Sequence, residues 1–133
     1  MSYTTQALIQ AAIPPQHLND ALDDDGDGTA DAGMLDGVIA KASQTVDALI
    51  AAQFATPIAD PVPAPVREAA FVFACELIYD RRQILEKNPY RDRADKWRER
   101  LADIGAGKSN LDAAVAPGAE YGGPNYVPNR QLP

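Results

Sequence analysis

Four prolines fall within nine positions, Pro57, Pro61, Pro63 and Pro65, in the stretch ATPIADPVPAPV. Proline lacks the N–H that a helix interior needs, and its ring clashes with the preceding turn, so no helix continues through this stretch. Its fixed φ favours an extended, polyproline-like path. Residues 55–65 therefore read as a stiff crossing, and whatever folds on either side of it must pack across it.

Both flanks carry helical signatures. Before the crossing, Leu35, Val38, Ile39, Ala42, Val46, Leu49 and Ile50 follow the i, i+3, i+4 rule, which predicts an amphipathic helix over 34–53. After it, from Val66 onward, REAAFVFACELIYDRRQILEK is apolar on most sides, as suits a helix at the centre of a bundle, and predicts a helix over 65–87. Asn88-Pro89 then supplies a cap and a first-turn proline. Ala94, Trp97, Leu101 and Ile104 mark one face of a third long helix over 89–104, which Gly105 can close. Two short helices precede all of these. One spans Gln6 to Ala12, capped by Thr4 or Thr5, and the other starts at Pro14-Pro15 and runs through His17, Leu18 and Leu22. The fold class is thus all-α: a small antiparallel bundle of four to five helices.

The chain has 133 residues, 46% hydrophobic and 23% charged, the balance of one globular domain. Cys75 is the only cysteine, which excludes an intramolecular disulfide and the usual multi-cysteine zinc site, and an intracellular folding compartment is expected. The start MSYTTQALIQAA lacks the basic opening and apolar stretch of a secretory signal, and no run approaches the roughly 18 apolar residues of a membrane span. Neither export by that route nor a place in a membrane is expected.

The net charge of −7 is unevenly spread: −8 over residues 1–66, +2 over 67–108 and −1 beyond. Such asymmetry suits head-to-tail contacts between subunits, acidic face against mixed face, and disfavours DNA gripping by the N-terminal half. Solvated faces on a monomer are the plainer reading.

Five of the nine aspartates of residues 1–66 lie in LDDDGDGTADAGML, residues 22–35. Counted from Asp23 as position 1, an EF-hand-type calcium loop finds Asp23, Asp25 and Asp27 at positions 1, 3 and 5, Gly28 at 6, Thr29 at 7 and Asp31 at 9. Position 12, which requires a bidentate carboxylate, is Met34. Two readings stay open. The segment is a weak calcium site with ligands Asp23, Asp25, Asp27, Thr29 and Asp31, or an acidic turn in which Gly26 and Gly28 adopt positive φ and Asp31 caps the following helix. No cofactor is required on either reading.

Signs of catalysis are weaker still. His17 stands alone, Cys75 sits in the apolar stretch FVFACEL and reads as core, and no G-x-S-x-G, P-loop or H-E-x-x-H motif occurs. Glu76/Asp80 and Asp92/Asp95 lie among arginines and read as helix-surface ion pairs. The row YDRRQILEKNPYRDR interleaves its arginines with acids, unlike a nucleic-acid stripe. The protein is not expected to be an enzyme.

Residues 109–133 form a separate segment of four prolines, three glycines and two tyrosines, with no sustained period. It cannot fold alone. An extended C-terminal arm is expected, laid on a neighbouring subunit or another partner and anchored by Tyr121, Tyr126, Val127 and Leu132. The helical domain is then residues 1–108.

The order of these pieces resembles the Mu-like phage neck protein family. The pieces are a short helical start, the D-x-D-G-D-G-x-x-D loop at Asp23 to Asp31, a helix bearing Ala42 and Val46-Asp47-Ala48-Leu49-Ile50, and a proline crossing. An apolar helix follows, then a last helix ending in Ile104-Gly105-Ala106-Gly107-Lys108 and Leu111. The resemblance covers residues 3 to about 111. The family's crossing reads aromatic-x-L-P-hydrophobic, of which Phe54, Pro57 and Ile58 keep the aromatic, the proline and the aliphatic residue. That family looks related to the head–tail connectors, or adaptors, of tailed phages. The resemblance implies a structural subunit of a virion, made in the bacterial host cytoplasm and located at the neck. There it forms a dodecameric ring under the portal protein, touches copies of itself and the next neck or tail protein, and extends a channel through which packaged DNA passes without specific binding. The alternative function from the residues themselves is an EF-hand-like calcium-binding helical module.

Overall fold

The computed structural model describes residues 2–59, 61–82 and 84–108. Five helices follow one another: α1 (Gln6–Ala12), α2 (Pro15–Leu22), α3 (Met34–Ile50), α4 (Ala64–Arg82) and α5 (Arg91–Gly105). No strand occurs among the described residues, and the fold is all-α. No helix among them is long and apolar enough to cross a membrane.

The apolar helix α4 occupies the centre and packs against all four others. Val66, Ala69, Ala70, Val72, Phe73, Ala74, Cys75 and Ile78 are buried along it. Small residues alternate with large ones, which lets neighbours approach from several sides. Helix α3 turns Leu35, Val38, Ile39, Ala42, Val46 and Ile50 inward, the stripe its spacing predicts. Each fully buried aliphatic or aromatic side chain contributes about 2 kcal/mol from desolvation, so this α3–α4 contact is the main source of cohesion. Strand-like reach is not needed to tie in the ends. The Tyr3 N–H donates to Ser43 Oγ at 3.0 Å and its hydroxyl donates to Asp47 at 2.6 Å. The same hydroxyl accepts from the Ile58 N–H at 2.7 Å, so one tyrosine fastens both the N-terminus and the proline crossing to α3.

Helix directions follow from the ion pairs. Arg91 meets Asp80 and Arg98 meets Glu76, so α5 runs antiparallel to α4. Arg81, at the end of α4, reaches Ala21 O and Asp24 beside the loop that opens α3, so α3 and α4 are antiparallel too.

The ends of the helices depart from the sequence expectations. Thr5 caps α1 as expected, its Oγ1 accepting from Leu8 N at 3.3 Å. Helix α3 stops at Ile50 rather than 53, because the Gln53 and Phe54 N–H groups both fold back on Ile50 O and start the turn into the crossing. Helix α4 stops at Arg82 rather than 87, although Ile84 to Lys87 are good helix formers. The Asn88 amide ties the returning chain to Glu76 O at 2.8 Å and Asp80 at 2.9 Å, and that tertiary fastening outweighs propensity. Asn88 also accepts from Tyr90 N, so α5 begins at Arg91, two residues later than 89.

Helix α5 is not closed by Gly105. Gly107, at φ +80°, takes the left-handed position, with Gly107 N–H donating to Ile104 O and Lys108 N–H to Asp103 O, the paired bonds of a Schellman turn. Gly105 serves packing instead: a Cβ there would lie 2.1 Å from Leu49 O, so only a glycine lets α5 lie this close to the end of α3. The arm residues Tyr121, Tyr126, Val127 and Leu132 lie outside the described residues.

Candidate functional site

The acidic loop folds around its own carboxylates. Asp23 Oδ1 accepts from the N–H groups of Gly26 at 2.7 Å and Asp27 at 3.2 Å, and its Oδ2 accepts from Gly28 N at 2.8 Å. Asp25 accepts from Asp27 N at 3.1 Å, and Asp27 from the Thr29 N–H at 2.9 Å and hydroxyl at 3.0 Å. Gly26 and Gly28 have φ of +81° and +86°, values that suit glycine and let successive N–H groups converge on Asp23. Asp31 does not cap α3. Its Oδ2 turns back to accept from Asp24 N at 2.9 Å, while the position before α3 is taken by Gly33 at φ +83° with no side-chain cap.

Asp23, Asp25, Asp27 and Asp31 each place one carboxylate oxygen within 4.8 Å of the others. These four are the carboxylates that could hold a hard cation; at Thr29, the fifth candidate, the ligand would be the backbone carbonyl, since the hydroxyl donates to Asp27. Met34 is half-buried against the core, and Asp36 binds Gln6 Nε2 at 2.6 Å, so neither completes a coordination sphere. The crowding shows in the acidities. The Gly28 N–H, above all, holds Asp23 below the usual carboxylate range. At Asp25 the Asp27 N–H favours the charged form, but the bond shared with Asp23, partial desolvation and the charges of Asp27 and Asp31 together push it up.

Asp24 faces the other way. It receives Arg81 in two bonds of 2.7 and 2.8 Å and also pairs with Arg82, and these arginines, Arg82 foremost, hold its carboxyl low. Two cations at the C-terminal end of α4 complement that helix end, and Asp24 connects them to the loop.

A second polar cluster joins α4 to α5, and it corrects the expectation of surface pairs. Glu76 is buried, at 4% exposure, and is gripped by Arg98 through bonds of 2.7 and 2.8 Å and by Arg91 at 2.6 Å. Arg91 continues to Asp80 and Arg98 to Asp95. Burial opposes ionisation of Asp80, but Asn88 and Arg91 outweigh it and hold its carboxyl low. Sequence reasoning missed this clamp. The signal was an acid in the middle of an otherwise apolar helix, with partners 15 and 22 positions away. His17 is also engaged, its Nδ1 lying 2.7 Å from the Tyr79 hydroxyl. Burial pushes the Cys75 thiol up to about 12, so the residue is packing and not a nucleophile.

Two surface features complete the inventory. A groove of about 500 Å³ lies between α1, α2 and the start of α3, floored by Leu18, Leu22 and Leu35 and bordered by Gln10, Asn19 and Asp31. On α5, Arg93, Lys96, Trp97, Glu99, Arg100 and Asp103 line one shallow surface of mixed charge, with the Arg100 guanidinium 4.7 Å from the Trp97 ring centre.

The described residues thus form a small helical domain whose charged clusters hold its own elements together. The family model described as bacteriophage Mu, Gp36 matches residues 3–124, and the chain belongs to that phage protein family. The match runs beyond α5 into the segment after Lys108. No curated protein matches the chain.

Proposed function

We propose that this protein is a structural component of a phage virion, without enzymatic activity, acting as a head–tail connector. In this role copies assemble as a ring, dodecameric as the resemblance implies, beneath the portal protein, and join it to the next neck or tail protein. Packaged DNA passes through the lumen. The observation that carries the proposal is the match to the Mu Gp36 family over residues 3–124. The build of the domain supports it. Charged residues are spent on internal clamps, and the net charge of −7 is concentrated in the N-terminal half, where phosphate backbones are repelled rather than gripped. A lumen of that character would let DNA slide.

A calcium-regulated module is not proposed. The twelfth loop position is Met34, and the nearest carboxylate beyond it, Asp36, is engaged by Gln6, so the bidentate ligand that such a loop requires is missing.

Mass spectrometry of purified virions and of separated heads and tails tests the role. The expected result is the chain present in many copies per particle, retained with heads or the head–tail junction. Absence from the mature particle would refute the connector role while leaving the family unchanged.

A further inference from the structure

We draw no further inference here: the strongest candidate, the four-carboxylate cluster of Asp23, Asp25, Asp27 and Asp31 in the loop between α2 and α3, carries nothing, since its one unpartnered buried oxygen, Asp31 Oδ1, is a member of the cluster itself and no second observation among the described residues points to a ligand.

Discussion

The loop over residues 23–31 and the α4–α5 interface both depend on carboxylates, yet they specify structure in opposite ways. In the loop the acids are exposed or half-exposed and, Asp24 with its arginines apart, bond to N–H groups within a few residues. Its shape is local chemistry, and water stands ready to replace any bond that is lost. At the α4–α5 interface a single buried acid, Glu76, meets arginines far away in sequence, and where the same helix α5 crosses the end of α3, Gly105 allows backbone to touch backbone. There nothing can be exchanged without moving a helix. The comparison teaches that the density of charge in a sequence is a poor guide to where charge matters for the fold.

The largest effect that would sharpen this contrast is expected at Gly105. Gly105→Val places a Cβ in the space of Leu49 O, and α5 must move away from α3. Thermal unfolding should show a loss of about 3 kcal/mol or more, roughly 10 °C in Tm. A variant as stable as the parent would break the account of the interface. Next comes Glu76→Ala, which leaves Arg91 and Arg98 facing each other without their shared acceptor. Because both arginines are partly exposed, at 45% and 36% of their side chains, the loss should be about 2 kcal/mol, below that of a fully buried pair.

The loop should respond far less, and chiefly through pH. The carboxyls of Asp23, Asp24 and Asp80 are all held low in the folded chain. The stability they supply is therefore present above the unfolded carboxylate range and is lost as pH falls below about 4, through their folded values. Asp25 has the opposite sign. Its raised value marks a penalty on the charged form that disappears on acidification. Chemical denaturation from neutral pH down to pH 3 should show a net decline, and Asp24→Asn should flatten it by lowering stability at neutral pH while leaving stability at pH 3 nearly unchanged. The smallest effect is expected from Ca²⁺: calorimetry on the purified chain should show no micromolar binding, because position 12 is Met34. Tight binding with a change in helix content would erase the distinction drawn between the two regions.

Much of the fold was legible in the sequence because helical periodicity and proline placement are local signals. The stripe from Leu35 to Ile50, the uniform apolarity after Val66 and the prolines between them determine three helices and their order. Where the sequence misled, a distant partner decided. Asp31 looks like a cap because the helix follows it, but the loop curls back and Asp24 N claims it. Gly105 looks like a helix stop because glycines close helices, but Leu49 lies against it and Gly107 closes the turn. Glu76 looks like a member of a helix-surface ion pair because arginines stand near it in the sequence, but it is buried and its arginines come from α5. The four-aspartate cluster was visible from spacing alone, whereas the groove between α1, α2 and α3 was not, since no residue pattern announces a space left between helices.

The central claim is that this chain is a connector subunit that docks on a portal, and electron microscopy of the purified protein mixed with its cognate portal protein tests it most directly. The account predicts an added ring of density beneath the portal, into which copies of the five-helix domain fit. Portal particles that remain bare at saturating concentrations of a folded chain would contradict it.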